Sequence, residues 1–201
     1  MILESIEASL SVLRQQLRQA RRALSEQQQA EHAQHLAQMF LTLIPASRSF
    51  AIGVTAAFDG EIDPLPTVKQ LQAAGHQTHL PILRADKQLD FALWQPDSLM
   101  LANQFGILEP QDVPRVSVDT LDVLLVPLVG VDRSGNRLGM GGGYYDRTLG
   151  SASRRPYLVG IAHHCQLVDH LPIQPWDIPL DMLITEKTVI IWHQFNKEAT
   201  G

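Results

Sequence analysis

Leu124-Leu125-Val126-Pro127-Leu128-Val129-Gly130-Val131-Asp132-Arg133-Ser134-Gly135-Asn136-Arg137-Leu138-Gly139-Met140-Gly141-Gly142-Gly143-Tyr144-Tyr145-Asp146-Arg147 holds, in one pass, a strand, a turn, a glycine-dense loop and the start of a helix. The apolar run has no polar alternation, which suits a strand buried on both faces that ends at Pro127. Ser134-Gly135-Asn136 carries turn chemistry, and the glycines run into a helix expected from Tyr144. Working outward, similar short apolar runs recur at Phe50 to Val54, His79 to Leu83, Leu121 to Val126, Tyr157 to Ile161 and Met182 to Thr185. Helical or Gly/Pro-containing stretches separate them, and Thr67 to Ala74, ended by Gly75, supplies one crossover helix. The alternation predicts an α/β fold with a mostly parallel open sheet flanked by helices.

Upstream, Ile6, Leu10, Leu13, Leu17 and Leu24 fall at threes and fours and lay one stripe along a long N-terminal helix. Ser25-Glu26-Gln27-Gln28 reads as a capping box that opens a second helix, closed by Pro45. An N-terminal helical pair therefore precedes the sheet. Ala85 to Val118 and Leu171 to Pro179 read as irregular. The 201 residues, 45% hydrophobic and 18% charged, suffice for one core, so a single domain over residues 1–201 is expected.

A net charge of −5 without long charged runs gives no electrostatic reason for a nucleic-acid or membrane-surface partner. Met1-Ile2-Leu3-Glu4 places acid where a signal peptide is basic, and no apolar run approaches the roughly 20 residues of a membrane span. The single cysteine, Cys165, cannot form an internal disulfide. A cytoplasmic location and a monomer are expected.

Gly139, Gly141, Gly142 and Gly143 leave the backbone free of Cβ atoms, so its N–H groups can point at a phosphate, helped by the following helix start. Arg137 before the loop could supply fixed positive charge, and Asp146 after it a hard oxygen for Mg²⁺. The same residues also suit a plain loop with a surface arginine and a helix-start acid. The block is neither a Walker A loop nor a Rossmann fingerprint, because Lys-Ser/Thr is missing and the strand-to-glycine distance is wrong. His163-His164-Cys165 could suggest a metal site, but neighbours on a strand point to opposite faces and no complementary ligand pair is evident. His32 and His35, at helical spacing, read as a solvated face.

The block Gly135 to Arg147 resembles the signature of the 5-formyltetrahydrofolate cyclo-ligase family. Further similar segments are Leu13-Arg14, the Arg-rich helix ending at Leu24-Ser25, Phe58-Asp59-Gly60-Glu61-Ile62-Asp63, Leu80-Pro81-Ile82, Gly160-Ile161-Ala162, Gln166-Leu167-Val168, Leu171-Pro172 and Trp176-Asp177. The resemblance implies an ATP- and Mg²⁺-dependent conversion of 5-formyltetrahydrofolate to 5,10-methenyltetrahydrofolate, with release of ADP and phosphate. It implies that Arg14, Arg137, Leu138, Gly139, Met140, Gly141, Gly142, Gly143, Tyr144 and Tyr145 contact ATP, and that Arg137 and Tyr145 act in catalysis. It implies Mg²⁺ on Asp146 and Asp181, and folate on Ala56, Glu61 and the stretch Met140 to Tyr144. Without the resemblance, Glu61 reads as a surface acid in a turn and Asp181 equally as a solvated loop acid. The set Arg14, Arg18, Arg21 and Arg22 usually marks a solvated helix side, with Arg14 alone implied for phosphate.

Two positions depart from the family pattern. Leu10 stands where a lysine normally contacts ATP, and Thr55-Ala56-Ala57 replaces Phe-Leu-Ser in the folate pocket. The alternative reading is a non-catalytic folate- or nucleotide-binding relative that keeps the fold. A purely structural α/β domain is a third.

Overall fold

The computed structural model describes residues 2–45 and 48–195, residues 2–6 by backbone alone. The side chain of Ile6, first in the expected helical stripe, therefore lies outside the described residues. In chain order the elements are α1 (Ile2–Arg22), α2 (Glu26–Leu43), β1 (Ala51–Gly53), α3 (Leu65–Ala73), β2 (Gln77–Leu83), β3 (Leu89–Leu93), β4 (Met100–Ala102), β5 (Leu108–Pro110), β6 (Arg115–Val116), β7 (Val123–Pro127), β8 (Gly130–Asp132), β9 (Arg137–Leu138), α4 (Tyr144–Gly150), β10 (Tyr157–Ile161), β11 (Leu167–Val168), β12 (Met182–Ile184) and β13 (Val189–Ile191).

The main sheet has the order β13-β12-β10-β7-β1-β2-β3-β6. Its five central strands are parallel, and β13, β3 and β6 add antiparallel edges. The chain steps from β1 out to β2, then returns to β7 on the other side of β1 and continues to β10 and β12. Strand order thus reverses between β1 and β7, and in such sheets the crevice beyond the strands' carboxyl ends at that point is where ligands bind. Two loops leave the crevice: Val54 to Pro64 after β1, and the chain from Leu128 after β7.

Each apolar run is continuous because alternate residues feed two cores. Val123, Leu125, Val159, Ile161, Met182 and Ile184 pack with Leu36 and Phe40 of α2 and Val68 and Leu71 of α3. Leu124, Val126, Leu158 and Leu183 face the other way, toward Leu149 of α4. Gly160 lets Leu180 pack close: a Cβ would lie 2.5 Å from Leu180 Cδ1 and force that side chain to shift. A third cluster, Leu10, Leu17, Val129, Leu138 and Leu171, seats α1 across the loop that follows β7.

The capping box at Ser25 forms as the sequence predicts: Gln28 N–H donates to Ser25 Oγ at 3.2 Å, and Ser25 N–H to Gln28 Oε1 at 3.0 Å. The expected turn at Ser134 to Asn136 joins β8 to β9, with buried Asp132 accepting from the N–H groups of Ser134, Asn136 and Leu171. Ala85 to Val118, read as irregular, instead contains β3 to β6. These are short antiparallel strands whose apolar runs are broken by Pro96, Pro110 and Pro114, which hides the pattern. Leu171 to Pro179 does lack regular structure.

Ser25→Ala removes one acceptor from the start of α2. It is expected to lower unfolding free energy by about 1 kcal/mol, read as an earlier midpoint in urea without a change of slope.

Candidate active site

The crevice between β1 and β7 is organised by a buried arginine. Arg21, the penultimate residue of α1, is fully buried. Its Nε donates to the Asp59 carbonyl at 2.9 Å and one terminal nitrogen to the Leu128 carbonyl at 3.1 Å. The other terminal nitrogen lies 3.0 Å from Asp59 Oδ2 and 3.5 Å from Glu61 Oε1. One guanidinium thereby ties α1 to both loops that leave the switch point. Arg18 and Arg22 also pair with the Asp59 carboxylate, which is itself almost wholly buried. Asp59 and Gly60 hold left-handed backbone, φ 57° and 75°, which turns the loop sharply enough to aim both acids at α1.

Next to this clamp, a cleft of about 440 Å³ is lined by residues that include Thr55, Ala56, Phe58, Glu61 and Trp94. That volume is in the range of small-molecule sites. Burial pushes the Glu61 carboxyl up to about 7, with Arg21 and the Phe58 N–H acting in the opposite sense. Tyr145 approaches Glu61 from α4: burial, then the charge of Glu61, raises the pKa of its phenol, with the nearby Thr55 hydroxyl acting in the opposite sense.

Asp146, the next residue, belongs to a second cleft of about 320 Å³ with Gly143, Arg147 and Trp176. Of these consecutive α4 residues, Asp146 lines the second cleft, and Tyr145 lies within the field of Glu61 from the first. The glycine loop before them is braced from outside: Arg14 Nε donates to the Gly139 carbonyl at 3.0 Å, and an Arg147 terminal nitrogen to the Gly142 carbonyl at 2.7 Å. Gly141 and Gly143 have φ of 92° and 70°, which glycine adopts without strain, and a Cβ at Gly143 would lie 2.7 Å from the Arg147 guanidinium and displace it. Among the described residues, no protein acceptor takes the N–H groups of residues 139–143. Because α4 has only seven residues, these loop amides, more than a helix dipole, set the local positive potential.

Arg137 is nearly buried and committed. It donates to Asp146 Oδ1 at 2.5 Å and to the Ile178 carbonyl, and burial lowers its pKa against the pull of Asp146 and Asp177. Its visible work is to orient Asp146. Asp181 lies at the start of β12, as expected, but it is buried. One oxygen is 2.5 Å from Arg155 and 3.0 Å from His193 Nδ1, and the other accepts the Leu158 N–H at 2.8 Å. A contact chain of Asp146, Arg137, the 178–181 segment, Arg155 and Asp181 connects the two expected metal ligands without making them neighbours.

The structure therefore brings Arg14, Arg137, the residues from Leu138 to Tyr145, and Asp146 into one region, with Ala56 and Glu61 beside it. Glu61 is not a surface acid, and Asp181 is not solvated. Arg21 and Asp59 are the residues that sequence reasoning passed over. The available signal was the i, i+4, i+7 spacing of Arg14, Arg18 and Arg21, which fits a helix face turned toward acids as well as one turned toward water. His32, read as solvated, instead meets His163, their Nδ1 atoms 2.8 Å apart. Burial first, then His32, pulls the His163 imidazole down to about 4. His35 is exposed as expected.

Fold and site together define a doubly wound α/β protein with a two-cleft site at its topological switch point. Residues 6–186 match the family described as the 5-formyltetrahydrofolate cyclo-ligase family. The chain is 42% identical over 181 residues to the 5-formyltetrahydrofolate cyclo-ligase of Escherichia coli (strain K12), covering 88% of this chain and 100% of that one. With the enzyme of that name from Haemophilus influenzae it shares 39% over 178 residues, 86% of this chain and 95% of the other. The solved 5,10-methenyltetrahydrofolate synthetase of Aquifex aeolicus superposes with a TM-score of 0.80 at 28% identity, covering 96% of this chain and 95% of that one. The one from Mycoplasma pneumoniae gives 0.72 at 26%, covering 88% and 98%. The chain belongs to the 5-formyltetrahydrofolate cyclo-ligase family, and by that membership it is a ligase acting in folate chemistry. No described helix is long and apolar enough to cross a membrane.

Asp59→Ala leaves Arg21 buried without its main counter-charge, and is expected to cost about 3–5 kcal/mol of stability. Arg21→Met should cost less, because Asp59 keeps Arg18 and Arg22. Denaturant unfolding of the two variants checks the order, and equal losses would contradict it.

Proposed function

We propose that this enzyme uses ATP and Mg²⁺ to convert 5-formyltetrahydrofolate to 5,10-methenyltetrahydrofolate, releasing ADP and phosphate. The observation that carries this reading is the pair of clefts near α4: Glu61, whose charge acts on the Tyr145 phenol, lines one, while Asp146 lines the other on the glycine-loop side. A phosphoryl donor in one cleft and a folate in the other would meet across the start of α4.

In this reading the formyl oxygen attacks the γ-phosphorus and ADP leaves. N10 then attacks the activated carbon, the C–O bond breaks to release phosphate, and N10 gives up its proton. The amides of residues 139–143 and Arg14 hold phosphate oxygens, and the site's role is positioning and charge neutralisation. Asp146 fits a hard cation: Oδ1 is fixed by Arg137, and Oδ2, which has no partner among the described residues, belongs to a cleft-lining side chain. Mg²⁺ bound there supplies charge neutralisation for the triphosphate. Asp181 could join it only if Arg155 withdrew. Glu61 as a carboxylate accepts hydrogen bonds from the pterin's donor edge, Tyr145 lies beside it as a neutral phenol, and Trp94 and Phe58 supply apolar wall. The small residues Thr55-Ala56-Ala57 leave that wall open.

Purified enzyme with 5-formyltetrahydrofolate, ATP and Mg²⁺ should generate the near-ultraviolet absorbance of the methenyl product. Binding of both ligands without that signal would favour a non-catalytic relative. Asp146→Asn should lower kcat roughly a hundredfold with the fold intact by circular dichroism. Unchanged activity across Mg²⁺ concentrations would remove Asp146 from the mechanism.

Glu61 adds a pH signature. Its acceptor form is the carboxylate, which fills as pH rises through about 7, so KM for folate should fall between about pH 6 and 8. Glu61→Gln should raise KM at least about tenfold and flatten its pH profile. A profile unchanged by the substitution would assign the titration elsewhere.

A further inference from the structure

Away from the two clefts, three elements converge on a second cluster. His32 comes from α2, His163 from the end of β10, and Glu186 from the chain just past β12. One ligand atom from each lies within 4.8 Å of the other two. The residues are 131 and 154 positions from His32 in sequence, so no local turn makes the grouping. His163 is fully buried, and the side chains of His32 and Glu186 are 15% and 7% exposed.

Two features distinguish this cluster from an ordinary hydrogen-bonded pair. The imidazoles face each other through Nδ1 atoms 2.8 Å apart, so at least one must carry a proton toward the other. With Nδ1 given to a metal, the proton of the His163 ring sits on Nε2, which is buried against the Gly60 backbone, where a ligating imidazole takes its outer partner, though without a hydrogen bond of good geometry here. The carboxylate is also oriented: Glu186 Oε2 accepts the His164 N–H at 2.8 Å, while Oε1 stands 3.7 Å from His32 Nε2. Ligating carboxylates in metal sites are held by such outer hydrogen bonds. The nearby guanidinium of Arg21 is already matched by Asp59 and Glu61.

We propose that His32, His163 and Glu186 form a binding site for a divalent transition-metal ion of the zinc class. Two imidazole nitrogens and one carboxylate oxygen are the donor set that zinc takes, with water in the fourth position. Bond lengths of about 2.0–2.1 Å place tetrahedral nitrogens about 3.3 Å apart, so the facing Nδ1 atoms need to separate by only about half an ångström. The hard, oxygen-preferring Mg²⁺ has no reason to choose this site. An ion here would fasten α2 to the ends of β10 and β12, beneath the turn that carries Asp59 and Glu61.

The test uses the full chain without a histidine tag, stripped with a chelator and titrated with Zn²⁺ against a chromophoric chelator. One Zn²⁺ per chain is expected, with a rise in Tm on loading. Co²⁺ in its place should give the visible absorption of a tetrahedral site. His32→Gln and Glu186→Gln, at partly exposed positions, should weaken binding at least about tenfold, the loss that even an outer-shell change produces, and should lose the Tm response. Cys165→Ser should bind as wild type. Less than stoichiometric binding, retention of affinity in both Gln variants, or loss of binding in Cys165→Ser alone would overturn the proposal.

Discussion

A guanidinium with no solvent access must have its charge matched, and the surroundings of Arg21 are arranged to do so. Leaving such a group unpaired costs several kcal/mol, so α1 docks only where Asp59, the Leu128 carbonyl and Glu61 converge. Those partners lie on the two loops that diverge at the sheet's switch point. The folded core therefore specifies the relative position of the loops from which the site is built. The helix that looks like an N-terminal extension is part of the site's frame. A buried ion pair is weak evidence for net stability; its value here is that it admits one arrangement of three chain segments.

From that frame the short helix α4 links two environments. Tyr145 sits in the buried, partly apolar one, where Glu61 is raised toward neutrality, and Asp146 in the open one, held by Arg137. The contrast suits a reaction that brings a highly charged phosphoryl donor to a largely apolar, hydrogen-bonding heterocycle. Arg137, expected to touch phosphate, pairs here with Asp146 and the Ile178 carbonyl, while Arg14 and Arg147 brace the glycine loop through its carbonyls. Leu10 packs into the α1 cluster and offers no charge there.

Much of the fold could be read in advance because five buried strands have to be continuously apolar, and Ser25 and Gly75 mark helix ends by their own chemistry. Strands β3 to β6 escaped because they are short and separated by prolines and turns, with β4 and β5 in a two-stranded sheet of their own, so the stretch reads as loop. In the site, the glycine block was legible since glycine takes the positive φ of Gly141 and Gly143 without strain. The roles of charged residues were not. Arg21, Asp181 and His32 have the same composition signature whether they face water or each other, and only the packing of elements distant in sequence decides which. Asp181 illustrates this: its place at a strand start was readable, but Arg155 and His193, which cover it, were not.

The central claim is that the formyl oxygen itself takes the phosphoryl group across the start of α4. Substrate carrying ¹⁸O in the formyl group tests it directly. The account predicts that, after a single turnover with ATP, the released inorganic phosphate contains one ¹⁸O atom. Unlabelled phosphate alongside methenyl product would mean that ATP is hydrolysed by water and that the folate is never phosphorylated, contradicting the account.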